Sequence, residues 1–326
     1  MERWIYGRRL AEQKIENSPI FIVGHWRSGT THLHNLLSQD PHFAYLSFSN
    51  MTMPFDMLLG RYLPVIPYLM KLVLPRTRGI DQLPMSAQLP QEEELALGML
   101  KGVSYYNCYF FPGHWDEYFA ESILSEGASG DQSSRGKLKS AYHSLVSKLT
   151  ILHGGKQLIF KNPASTGRIA MLKELFPNAK FVHIRRNPYE VFASSLARLQ
   201  RMIDGFSWQD SEGLDHERVV LESYALLMKQ YFEQRSEIPG EDLFETSYED
   251  LVANPEQVLG SIYSHFGIER SEDSINRHDG YLAAQKSYQK NQHQLSASQI
   301  ESIQREWGFA LDQWEYELPS DREGEP

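Results

Sequence analysis

Three stretches of this sequence carry residues whose types and spacing could do chemistry. The first is Pro19 to Leu37, PIFIVGHWRSGTTHLHNLL, where Gly24 and Gly29 bracket four residues and Thr30 and Thr31 follow. The resulting G-x-x-x-x-G-T-T has the spacing of a phosphate-cradling loop, with Thr30 where a nucleoside triphosphatase carries Lys. The apolar run from Ile20 to Val23 reads as a buried strand, and the helix should open at Thr30. Backbone N–H groups at a helix start, with the positive end of its dipole, suit an anion. The ammonium that reaches β- and γ-phosphates is missing. Arg27 supplies instead a planar, permanently charged group suited to bidentate oxyanion contact. The loop therefore predicts a phosphate-like ligand other than a magnesium nucleoside triphosphate.

The second stretch is AKFVHIRRNPYEVFASSLA (179–197): an apolar strand, two arginines, Asn-Pro and a helix, with Arg186 and Ser194 eight positions apart. An arginine there can make charge-assisted hydrogen bonds to a terminal phosphate, and a helix-borne serine adds a hydroxyl donor. The third is QLIFKNP (157–163), a short buried strand ending at Lys161. A lysine at the carboxyl end of a strand stands where ligands bind in open α/β sheets.

W-R-S-G-T-T after an apolar strand resembles the 5′-phosphosulfate loop of the sulfotransferases, especially the group with P-R-S-G-T-T. R-[DN]-P-x-x-x-x-x-S is the 3′-phosphate signature of the same family, and the chain matches it throughout. The resemblance covers roughly residues 19 to 310. It implies a P-loop-like three-layer α/β fold, a mostly parallel sheet with helices on both faces. The activity it implies is transfer of sulfonate from 3′-phosphoadenosine-5′-phosphosulfate (PAPS) to an acceptor hydroxyl, leaving adenosine 3′,5′-bisphosphate and requiring no metal. Carried over, Arg27, Ser28, Gly29, Thr30 and Thr31 would hold the 5′-phosphosulfate, and Arg186 and Ser194 the 3′-phosphate. Lys161 would neutralise charge on the bridging oxygen as the sulfur–oxygen bond breaks. His32 stands where many relatives carry an aromatic residue against the adenine; an ordinary partly buried histidine fits the position as well. QKSYQKNQHQLS (285–296) falls where relatives fold a basic segment over the 3′-phosphate, with Lys286 and Lys290 but no Arg-Lys-Gly.

LPQEEELALGM (89–99) fills the start of a helix with glutamates, which the helix dipole alone would favour. Many sulfotransferases resemble it with P-x-E-[DE]-E at a similar distance from the loop. Deprotonating an acceptor hydroxyl needs a general base, and Glu92 and Glu94 are the candidates, with His114 a further choice. Tyr248 and Glu249, in LFETSYEDL, read as structural.

The 326 residues, 41% of them hydrophobic, suffice for one large domain, with a core at about 19–310 and a helical insertion at about 50–155 on the acceptor side. A net charge of −10 argues against general nucleic-acid binding. One cysteine excludes an internal disulfide framework and fits a reducing, cytoplasmic setting. No secretory signal is visible in the first ten residues. Met57 to Leu74 is the longest apolar stretch. Arg61, Pro64, Pro67 and Lys71 interrupt it, so it predicts short core helices, a lid over an apolar acceptor, or a membrane-surface contact. With the aromatic run Tyr105 to Tyr118 it suggests a hydrophobic alcohol such as a sterol or lipid as acceptor. A carbohydrate or other small-molecule hydroxyl is the alternative. A small-molecule P-loop kinase and a non-catalytic module binding adenosine bisphosphate are the rivals from other classes.

Overall fold

The computed structural model describes residues 2–60, 62, 74, 86–123, 132–285 and 294–318. Five strands, β1 Ile20–Val23, β2 Phe43–Tyr45, β3 Gln157–Lys161, β4 Lys180–Arg185 and β5 Leu243–Ser247, form a parallel sheet in the order β2-β3-β1-β4-β5. Helices about it include, in chain order, α1 Thr30–Leu37, α2 Glu94–Lys101, α3 Tyr106–Phe110, α4 Trp115–Ile123 and α5 Gln132–Leu152. They continue with α6 Ile169–Leu175, α7 Pro188–Phe206, α8 His216–Arg235, α9 Pro255–Phe266 and α10 Ala297–Trp314.

The strands are short unbroken apolar runs because both faces of the sheet are covered. Alternate side chains divide between the faces. Ile20 and Ile22 meet Ile159, Val182 and Ile184 on one side, under Leu33 and Leu36 of α1 and Leu259 of α9. Phe21 and Val23 point to the other side, against Phe160, Phe181 and residues of α5 and α6. There the Phe21 ring stacks at 5.3 Å on Phe160 and 5.8 Å on Phe181. A third core, built by α7, α8 and α10 against α3 and α4, centres on Trp307, whose ring stacks on Tyr224 at 3.9 Å.

Local contacts set several element boundaries. β2 stops at Tyr45, and Ser47 then caps a short helix, Phe48–Met51, by accepting from Asn50 N–H. The helix read from LPQEEELALGM begins only at Glu94. Pro90 is held in an antiparallel bridge to Ser47, and Gln91 N–H donates to Leu46 O at 2.9 Å. After β3, Asn162 caps a 3₁₀ turn, Pro163–Gly167, before α6. The C-terminal helix starts on a capping box between Ser296 and Gln299 and runs to Trp314.

Of the Met57–Leu74 stretch, Met57–Gly60 is helical and most of the rest lies outside the described residues, as do Lys286 and Lys290. Among the described residues no helix is long and apolar enough to cross a membrane.

Candidate active site

The three motifs come off the carboxyl ends of three adjacent strands. Ile22 of β1 pairs with Lys161 of β3, and Val23 pairs with His183 of β4, so the loop from Gly24 lies between Lys161 and Arg186. Backbone geometry makes the loop tight. Gly24 has φ 141°, and a Cβ there would sit 2.3 Å from Ile184 O. Gly29 has φ 97°, and its Cβ would collide with the Tyr248 ring. Arg27 also adopts a positive φ, 70°, a conformation that costs a non-glycine residue about 1 kcal/mol.

Two contacts hold Arg27 in that shape. Its Nε donates to Ser194 Oγ at 2.8 Å, and Arg186 Nη1 donates to its carbonyl at 2.9 Å. Ser28 is turned inward, with both Oγ and N–H donating to His25 O. No side chain caps the first turn of α1, leaving its N–H groups to face outward.

The loop opens into a cleft of about 640 Å³ lined by Arg27, Gly29, Thr30, Thr31, His32 and Arg186. Tyr248, Glu249 and Tyr281 close its far side. His32 lies 6.0 Å from the Tyr281 ring, with an interplanar angle of 30°, and burial lowers its pKa. Arg186 is 8% exposed, packs 4.6 Å over the Tyr248 ring and pairs with Glu190 at 2.9 Å. Its Nε is buried without a partner. A buried guanidinium N–H left unsatisfied beside an uncapped helix start fits a phosphate-bearing ligand.

The three glutamates point three ways. Glu92 precedes the helix and meets Lys161, with Nζ to Oε1 2.5 Å, while Tyr105 OH donates to Oε2 at 2.8 Å. Burial would raise the Glu92 pKa, but the Lys161 ammonium outweighs it and holds the carboxyl at about 2. Glu93 is fully buried, accepts from Tyr142 OH at 3.1 Å, and has one oxygen without a partner. Burial pushes its pKa up to about 7. Glu94 is also fully buried. Arg168 grips it from two nitrogens at 2.7 and 3.0 Å, and Asn162 Nδ2 and Tyr105 N–H donate to it at 2.6 and 2.8 Å.

Lys161 and Glu92 are thus brought together, while Glu94 faces the protein interior. Lys290 lies outside the described residues. His114 sits at the surface beside Glu117. Arg168 and Arg198 escaped the sequence reading, while Tyr248 was read as structural and Tyr105 only as the start of an aromatic run.

The fold and cleft define an α/β protein with an arginine-lined cleft at parallel strand ends. The chain belongs to the sulfotransferase family, whose model matches residues 19–273. It is 33% identical over 318 residues to omega-hydroxy-beta-dihydromenaquinone-9 sulfotransferase Stf3 of Mycobacterium bovis, covering 97% of this chain and 80% of the relative. The protein of the same name in Mycobacterium tuberculosis gives the same figures. Among solved structures, sulfotransferase STF9 from Mycobacterium avium aligns with a TM-score of 0.74 at 19% identity, over 97% of this chain and 82% of that one. Sulfotransferase STF1 from Mycobacterium tuberculosis aligns with 0.66 at 19% identity, over 94% and 80%. These two establish the shared fold.

Proposed function

We propose that this protein transfers sulfonate from PAPS to the hydroxyl of a lipid alcohol. The observation that carries the reading is the convergence of Arg27, Arg186 and the Lys161–Glu92 pair at adjoining strand ends. PAPS supplies an activated sulfonate on a nucleotide that also carries a 3′-phosphate. Arg27, Gly29, Thr30 and Thr31 hold the 5′ side against the uncapped helix start. Arg186, through its unpartnered Nε, takes the 3′-phosphate, and Ser194 orients Arg27. His32 and Tyr281 flank the base.

Glu92 takes the acceptor proton. While Lys161 holds it, its carboxylate is ionised but weakly basic. Lys161 moving toward the leaving oxygen frees it and raises its basicity, so one motion readies both the acid and the base side of the transfer. Glu94 keeps Arg168 neutralised and fixes the start of α2. The cations used in this reading are all side chains. We read the chain as one catalytic domain, with the segment between β2 and β3 supplying the acceptor side.

The lipid acceptor rests on the name of the 33% identical relative and on the aromatic wall beside Glu92. Tyr105, Tyr106 and Tyr109 pack together there, with ring centroids 4.8 to 6.0 Å apart. Incubation with PAPS carrying labelled sulfur should transfer label to long-chain or isoprenoid primary alcohols far faster than to a disaccharide. Faster labelling of the disaccharide would overturn the acceptor assignment.

A further inference from the structure

Beside the loop residue Trp26 and the Tyr105 ring lies a small cavity of about 30 Å³, the space of one water molecule. Its walls are aromatic, from Tyr105, Tyr109, Trp115 and Phe119, yet two polar atoms among its lining residues have no partner. Trp26 is 8% exposed and its indole N–H is buried without a partner. Ser195 is 7% exposed, and its Oγ is buried and unpartnered. Arg198 also lines the cavity, and its guanidinium donates to Tyr109 OH at 2.6 Å. Among the described residues no carboxylate lies within 4.0 Å of it. An indole N–H and a hydroxyl, both buried without a partner in an apolar recess, are a costly arrangement unless a ligand completes it.

We infer that this cavity is an acceptor subsite that takes a second oxygen of the substrate, a carbonyl or hydroxyl set a few bonds from the hydroxyl that is sulfonated. The inference rests on the sulfotransferase reading of the adjoining site. Tyr105 links the two: its OH donates to Glu92 at 2.8 Å, and its ring packs at 5.0 Å, nearly edge-on, against Trp26. A substrate whose reacting hydroxyl meets Glu92 therefore runs past Tyr105 toward Trp26, Ser195 and Arg198. Arg198 in the recess and Glu92 beyond it bring opposite charges that act on each other, which suits a neutral oxygen better than an ion. The recess admits one small group only, so the apolar body of the substrate stays outside it. A simple chain alcohol would leave the indole N–H and the serine hydroxyl unsatisfied. A site built for a hydrogen-bonding group discriminates strongly against the analogue that lacks it.

The test is calorimetric binding of decanol against hydroxydecanones with the carbonyl at successive positions along the chain, on the full-length protein. One hydroxydecanone should bind at least about tenfold tighter than decanol, the worth of one or two buried hydrogen bonds. Trp26→Phe keeps the ring and removes the N–H; Ser195→Ala removes the hydroxyl. Each should pull the ratio toward one while decanol binding changes less than the hydroxydecanone. Equal binding of all the alcohols, or a preference that survives both substitutions, would overturn the subsite. Affinity for adenosine 3′,5′-bisphosphate is a separate readout: its absence would sink the donor reading, while a ratio that still responds to Trp26 and Ser195 would uphold the oxygen site.

Discussion

Two ion pairs lie side by side in this molecule and differ in what they can do. Arg168–Glu94 is sealed: both side chains are at most 1% exposed, the contact is bidentate, and Asn162 and Tyr105 N–H occupy the remaining oxygen capacity. Lys161–Glu92 is a single contact at a strand end, with the carboxylate side chain 19% exposed. Arg168 cannot leave without stranding a buried charge. Lys161 is a compact charge on a flexible stem and can exchange one anion for another. Two glutamates two residues apart, one inside a helix and one just before it, thus divide structure from chemistry in the proposed mechanism.

Substitutions should separate the two pairs. Glu94→Gln leaves Arg168 buried and uncompensated and should cost about 3–5 kcal/mol of stability. Urea denaturation measures it, and a loss below 1 kcal/mol would mean the pair is not sealed. Glu92→Gln should slow sulfonate transfer by about 10²–10⁴-fold with a smaller loss of stability than Glu94→Gln. If the two variants lost activity and stability in equal measure, the division of roles would fail.

Glu93, between them, gives a pH signature. Its folded-state pKa is raised, from 4.5 to about 7, so the folded protein retains a proton that the unfolded chain releases. Stability should therefore fall as pH rises from the unfolded value through the folded one, by about 3 kcal/mol, and level off above. Glu93→Gln should flatten that dependence. A melting temperature whose response to pH is the same in wild type and variant would show that Glu93 titrates alike in the folded and unfolded chain.

The loop and the Arg186 turn were legible as strand–turn–helix units because the glycine spacing and the Arg186–Ser194 interval are each local in the chain. The cross-link between them was not. Ser194, expected on a 3′-phosphate, accepts from Arg27, 167 residues earlier in the chain. Glu94 stood beside Glu92 as a candidate base because its partner Arg168 is 74 residues away in the chain. Strand ends were legible from apolar runs. Pro90 misled because its bridge to Ser47, which delays the helix and frees Glu92 to reach Lys161, is tertiary.

The central claim is that Arg186 reads a 3′-phosphate beside the loop. The most direct measurement is metal-free calorimetric binding of adenosine 3′,5′-bisphosphate, AMP and ATP to wild type and Arg186→Ala. The account predicts clear preference for the bisphosphate and its loss in the variant by about 1.5–3 kcal/mol, or roughly 10- to 150-fold. Equal binding of AMP, or a variant that binds the bisphosphate as the wild type does, would contradict it.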